Sequence, residues 1–320
     1  MSKLIGRRSF LAGSALLGGL AATAFIRRAA AAPPAIIADG TAIGTGKMLV
    51  VEDGPGGRIL CFDSAARSYP ISEIRPTDVV MVSSYAGTPV MSPLFGQGAK
   101  AIIAYDAGIG KDEAGISALK IGEELGVPLA AVRAMSAEAA NGRSLALGEI
   151  SRVNAPARAL GVAPGQIAYE AALRLAAATI GKPVKVPAST DEKPQVVEET
   201  PKGKIWASTS SFVFKEKMPN DVVCIGANSG RVFAESLMDF LPRGAISNDT
   251  GIGKNNSGVA GVMMVAEHGI AAASVAALSA RIGSGMSTWN DGIISVVNRI
   301  AAERGVKVGM TAKEAARLML

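Results

Sequence analysis

The sequence predicts an α/β protein made of two tandem, homologous parallel-sheet units related by approximate two-fold pseudo-symmetry. Three observations carry that expectation: a long internal repeat, an alternation of strand-like and helix-like segments, and a composition rich in core formers. Of 320 residues, 49% are hydrophobic and 19% charged, enough to bury a core of one large or two ordinary domains.

The repeat is clearest at Asp106-Ala107-Gly108-Ile109-Gly110-Lys111, which recurs as Asp249-Thr250-Gly251-Ile252-Gly253-Lys254, 143 residues later. Upstream, Pro76-Thr77-Asp78-Val79-Val80 answers Pro219-Asn220-Asp221-Val222-Val223. Downstream, Ser136, Gly142 and Ser144 answer Ser279, Gly285 and Ser287. One inserted residue then moves the spacing to 144, where Ser151, Asn154 and Gly165 meet Ser295, Asn298 and Gly309. Agreement over such a length is the signature of a duplicated structural unit. The copies span residues 48–176 and 196–320, and a Pro-rich, charged linker occupies 177–195.

Within a copy, two short strands are expected near Met48 to Val51 and Arg58 to Phe62. The apolar run Val79 to Val82 predicts a third strand, followed by a Ser/Gly turn and a helix near Val90 to Gly96. Ala101 to Ala104 predicts a fourth strand, ending in the Asp-x-Gly-x-Gly-Lys turn and a helical stretch from Gly115 to Leu125. Val127 to Val132 predicts a fifth, after which helical pattern runs to Ala176. Strand, helix, strand, helix, strand reads as a parallel sheet covered by helices.

The N-terminus reads Gly6-Arg7-Arg8-Ser9-Phe10-Leu11, then a mildly apolar, Gly/Ala-diluted stretch to Phe25, Arg27-Arg28, and Ala29-Ala30-Ala31-Ala32-Pro33-Pro34. This resembles a twin-arginine signal peptide: the arginine pair with Phe-Leu behind it matches the core motif, and the alanine run supplies an A-x-A cleavage site. The resemblance implies residues 1–31 as a cleaved signal with 32–47 as an extension, handling by the twin-arginine translocase, folding before export, and a periplasmic or secreted destination. A membrane-spanning helix needs about 20 predominantly apolar residues, so no stable membrane insertion is expected after cleavage.

Charge and composition exclude several function classes. The formal net charge is +6, but Lys3, Arg7, Arg8, Arg27 and Arg28 leave with the signal, so the mature chain carries +1. With 4% aromatic residues there is neither a basic patch nor a stacking platform for nucleic acid. Two cysteines and one histidine, Cys61, Cys224 and His268, are too few for structural zinc, iron–sulfur or multi-histidine sites. No cofactor is predicted, and Mg²⁺ or Ca²⁺ held by carboxylates stays compatible with the composition. Both cysteines lie in apolar runs and read as buried free thiols, and His268 reads as a helix C-terminal residue. A homo-oligomer is compatible with the sequence.

Ligands of open α/β sheets bind outside the carboxyl ends of the parallel strands, where three loops per copy lie. Asp106/Asp249, Lys111/Lys254, Ser136/Ser279, Ser144/Ser287 and Asn154/Asn298 are the polar residues kept there in both copies. The Asp-x-Gly-x-Gly-Lys turn is the sharpest constellation, because its glycines free successive N–H groups and its lysine adds positive charge for an anionic or carbonyl-bearing ligand. It is not a P-loop, since Asp112 and Asn255 stand where Ser or Thr is required. Asp106, Lys111, Asp249 and Lys254 are therefore the candidate catalytic residues, against the plainer reading that the turn is a brace. The more polar second copy adds Asn228, Ser229, Arg231, Asn248, Asn255, Asn256, Ser279 and Arg281 as candidate substrate-binding residues for a carboxylate. No metal ligands are proposed. The expected function is an exported, metal-independent hydrolase or lyase acting on a small polar or carboxylate-bearing molecule between the repeats. A periplasmic solute-binding protein is the alternative, and a structural or assembly subunit the third reading.

Overall fold

The run Val79 to Val82 and its counterpart Val222 to Ile225 are completely buried, as strands covered on both faces must be. The computed structural model describes residues 41–43, 48–65, 70–187 and 193–320. The expected signal, residues 1–31, and most of the 32–47 extension lie outside the described residues, as do residues 188–192 of the linker. Contacts join Pro34–Leu320 into one unit that contains both repeats.

The first repeat runs β1 (Thr41–Ile43), β2 (Met48–Gly54), β3 (Gly57–Phe62), β4 (Val79–Tyr85), α1 (Thr88–Gln97), β5 (Ala101–Tyr105), α2 (Ala118–Glu124), β6 (Leu129–Val132), α3 (Gly142–Ala146), β7 (Ile150–Val153), α4 (Ala155–Ala159) and α5 (Ala168–Leu175). The second repeats this order, without a counterpart of β1 among the described residues: β8 (Gln195–Thr200), β9 (Gly203–Ser208), β10 (Val222–Asn228), α6 (Arg231–Phe240), β11 (Gly244–Asn248), α7 (Ala260–Met264), β12 (Ala271–Val275), α8 (Gly285–Asp291), β13 (Ile294–Val297), α9 (Arg299–Glu303) and α10 (Ala312–Met319). The α/β duplication read from the sequence is the architecture of the protein.

Each copy forms its own sheet, in the orders β1-β2-β3-β4-β5-β6-β7 and β13-β12-β11-β10-β9-β8. The parallel core is flanked by antiparallel strands, so the sheets are mixed. Strands β3 to β6 and β9 to β12 are parallel, but β2, β7, β8 and β13 join them antiparallel. Connection length explains the outer pairs: only Pro55-Gly56 links β2 to β3 and only Pro201-Lys202 links β8 to β9, and two residues can make a hairpin but no crossover. Strand β7 falls where helical pattern was expected to continue, in the four residues Ile150-Ser151-Arg152-Val153.

Helices cover both faces of each sheet. In the first repeat, Leu145, Ala172 and Leu175 from α3 and α5 pack on one face with Met81, Ile103 and Val132. Leu94 and Phe95 of α1 pack on the other with Val80, Ile102 and Leu129. Polar braces repeat as faithfully. Asn154 caps α4 and accepts the Leu129 N–H while its amide donates to the Val127 carbonyl. Asn298 does the same with Ala301, Ala272 and Ile270. Such a residue satisfies buried backbone groups that the antiparallel outer strand leaves open.

Candidate functional site

The two Asp-x-Gly-x-Gly-Lys turns follow β5 and β11, and they meet each other. A Cβ on Gly108 would lie 2.8 Å from the Cα of Gly251, and one on Gly251 2.8 Å from the Cα of Gly108. A residue that touches its own counterpart lies on the axis relating the copies, and reciprocal contacts make that axis two-fold, so this contact marks the pseudo-dyad. The surrounding contacts are reciprocal: Arg281 donates to Asp112 at 3.0 Å, and at the equivalent positions Asn255 donates to Glu138 at 2.7 Å.

Close approach dictates the backbone of the turn. Ala107 to Gly110 and Thr250 to Gly253 all have left-handed φ, with Ile109 at 64° and Ile252 at 67°, values that β-branched residues adopt only when surroundings impose them. The aspartates impose them. Asp106 accepts the N–H groups of Gly108 and Ala134 and the hydroxyl of Ser151, and Asp249 those of Gly251, Ala277 and Ser295. Both are buried, and neither forms an ion pair with its lysine among the described residues. Backbone donors of the turn are engaged too: Ile109 and Gly110 bond within it, and Lys111 N–H crosses to the Ala277 carbonyl, as Lys254 N–H crosses to Ala137.

Several other predicted residues also hold the frame. Ser136 and Ser279 each donate to a carbonyl three residues back and accept from Glu149 and Ile293. Asn248 is buried and spans Thr250 and Ala280. Ser229 is fully buried in a hydroxyl chain with Ser247 and Ser274. Asn228 accepts the Gly230 N–H. Arg281 is spent on Asp112, and Asn256 is exposed in a left-handed backbone.

Arg231 pairs with Glu235 one turn along its own helix, at 2.5 Å, and Asn255 is held by Glu138. Lys111 and Lys254 remain, and here the pseudo-symmetry breaks. On one side of the dyad Lys111 reaches Asp291 of α8 at 2.9 Å. The Lys111 ammonium and the Ser287 hydroxyl hold the Asp291 carboxyl below the usual carboxylate range. On the other side, the residue in the place of Asp291 is Leu147. Gly148 and Gly292, which follow these two residues, accept the equivalent Ala168 and Ala312 N–H groups, which aligns Leu147 with Asp291; the one-residue insertion falls just before this point, so Leu147 lies three residues after Ser144 where Asp291 lies four after Ser287. Lys254 therefore has no carboxylate within ion-pair distance among the described residues.

That side holds a cleft of about 940 Å³ between the repeats, lined by Lys254, Asn255, Ser257 and Arg231 of the second copy and by Asp63, Glu138, Asn141 and Ser144 of the first. Its carboxylates are already occupied. Glu138 accepts the amides of Asn141 and Asn255, and Asp63 accepts the Gly142 N–H. Cys61 borders the cleft, but burial pushes its thiol up to about 12, which leaves it protonated and unreactive at neutral pH. The two cysteines are free and buried, as expected. Among the described residues no group of histidine, cysteine and carboxylate side chains is arranged to hold a metal ion.

Leu147, Ser144, Asn141 and Glu138 were not singled out as a site in the sequence. The signal was available: aligning the copies through Gly148 and Gly292 sets Leu147 against Asp291 and exposes a lysine without its counter-charge. Fold and site together define a duplicated α/β protein with a polar cleft at the junction of its repeats and, on its wall, a lysine without an ion-pair partner among the described residues. No protein-family model, no curated protein and no solved structure matches the chain.

Proposed function

We propose that the junction cleft binds a small carboxylate-bearing molecule, with Lys254 as its principal counter-charge and Arg231 and Asn255 as neighbouring donors. The observation that carries this reading is the asymmetry of the two lysines: Lys111 is neutralised by Asp291, whereas Lys254 borders a cleft of about 940 Å³ without a carboxylate partner among the described residues. That volume suits a small ligand, and an ammonium beside amide and hydroxyl donors suits a carboxylate better than a neutral solute. Capture of a solute after twin-arginine export, in the periplasm or outside the cell, is the role these features favour.

Hydrolase or lyase chemistry at the same cleft is the second reading. It is favoured by Ser257, whose hydroxyl accepts the Ala139 N–H while its own proton has no acceptor among the described residues. A lysine three residues away would stabilise developing negative charge.

One experiment separates the readings. Small carboxylates are screened against the purified protein by thermal shift and, in parallel, for product by mass spectrometry. A melting-temperature rise without product, weakened at least tenfold by Lys254→Met, supports capture. Product formation that disappears in Lys254→Met and Ser257→Ala supports the enzyme. Ligand responses indifferent to Lys254→Met overturn both. Export is tested separately: Arg7→Lys with Arg8→Lys should leave full-length precursor in the cytoplasm, and normal export of that variant contradicts the twin-arginine assignment.

A further inference from the structure

We infer that the ligand's carboxylate sits between the Lys254 ammonium and the Ser144 hydroxyl, in the position that the Asp291 carboxylate occupies on the opposite side of the pseudo-dyad; this rests on the reading of the cleft as a carboxylate site. The closed side of the molecule is a template for the open side. There, Asp291 accepts a hydrogen bond from Lys111 at 2.9 Å and another from Ser287 at 2.7 Å. Ser287 is held for this by its second bond, accepting the Arg281 N–H at 3.0 Å. The acceptor is thus a –CH₂–COO⁻ group clamped between an ammonium and a fixed hydroxyl.

Every part of that clamp except the carboxylate recurs in the cleft. Lys254 replaces Lys111, and Ser144 replaces Ser287. Ser144 is fixed in the same manner, accepting the Glu138 N–H at 2.9 Å, where Glu138 is the counterpart of Arg281. Both side chains line the cleft. Their remaining donor capacity is unused, because Lys254 has no carboxylate partner and the Ser144 hydroxyl proton has no acceptor among the described residues. Leu147, in the place of Asp291, also borders the cleft and brings no charge to it. Two donors aimed at an anion in one copy and left without one in the other define the missing group chemically. It is a carboxylate on an sp³ carbon, with the apolar Leu147 side chain beside it, so an aliphatic carboxylic acid fits better than a phosphate or sulfate ester.

Acetate is the Asp291 side chain without its backbone and is the probe of choice. The full-length chain is titrated with sodium acetate and followed by NMR, with sodium chloride at equal ionic strength as control. The wild type should show saturable shifts at Ser144 and Lys254 and none at Ser287 and Lys111. Leu147→Asp should fill the clamp from within and weaken acetate at least tenfold, and Ser144→Ala should also weaken it about tenfold or more, the loss of one charge-assisted hydrogen bond. Asp291→Leu should gain a second acetate site with shifts at Ser287 and Lys111. The gain in Asp291→Leu and the loss in Ser144→Ala remain decisive if Leu147→Asp fails to fold. Acetate binding that Lys254→Met abolishes but Leu147→Asp and Ser144→Ala leave unchanged would overturn the placement while leaving the cleft a carboxylate site. Absence of saturable binding to the wild type and to Asp291→Leu would overturn both.

Discussion

Repeat 2 carries a buried chain of hydroxyls whose members have alanine at every equivalent position of repeat 1. Ser274 donates to Ser229 at 2.8 Å, and Ser229 and Ser247 share a bond of 2.6 Å. All three are fully buried, and their counterparts Ala131, Ala86 and Ala104 are fully buried too. Ser229→Ala removes the middle of the chain and leaves two hydroxyls without partners. Each orphaned buried hydroxyl costs about 1–3 kcal/mol, so the single substitution should destabilise by about 2–6 kcal/mol. Replacing all three with alanine removes donors and acceptors together and recreates the packing of repeat 1, so it should lie within about 1 kcal/mol of wild type. Urea unfolding followed by far-UV circular dichroism reads the difference: the triple variant should unfold at a higher denaturant concentration than Ser229→Ala. A triple variant less stable than the single one would show that the hydroxyls contribute independently and would refute the reasoning.

Other consequences are more local. Gly251→Ala forces a Cβ to within 2.8 Å of the Gly108 Cα at a φ of 73°, and should destabilise by at least about 2 kcal/mol in the same unfolding assay from steric conflict plus the cost of left-handed alanine; an effect below about 0.5 kcal/mol would remove the two turns from the dyad. The Asp291 carboxyl is held below its ordinary value by Lys111 and Ser287, so its contribution to stability is complete above the unfolded value near pH 4 and is lost as pH falls through the lower folded value. Asp291→Asn should therefore lower the urea midpoint at pH 7 and converge with wild type in strong acid, and a gap that persists there contradicts the pairing. Burial pushes both Cys61 and Cys224 up to about 12, so neither thiol should react with a disulfide reagent at pH 8 until the protein unfolds; fast labelling of the native chain would contradict their burial.

Much of this fold was legible because duplication makes the chain its own comparison. The spacing of 143 residues pairs α1 with α6 and β5 with β11, and the polar residues kept in both copies prove to be where buried backbone groups need partners: Asn154 and Asn298, Ser136 and Ser279, Asp106 and Asp249. The same retention covers Asp249 and Ser279, whose oxygens are engaged by the frame, because a brace is required twice whereas a ligand needs only one clamp. The antiparallel edges were less visible. Strand β7 is four residues long and carries Ser151 and Arg152 between apolar ends, too short a period to interrupt the helical pattern around it. The meeting of Gly108 with Gly251 had a sequence trace in the paired glycines, but glycine for backbone approach and glycine for anion binding look alike until the partner backbone is seen.

The asymmetry between Lys254 and Lys111 carries the functional account, and neutralising each lysine in turn tests it most directly. Isothermal titration of the same small carboxylate into wild type, Lys254→Met and Lys111→Met should give saturable binding to the first, at least tenfold weaker binding to the second, and unchanged affinity in the third. Equal losses in both variants, or a loss confined to Lys111→Met, would contradict the placement of the site in the open cleft.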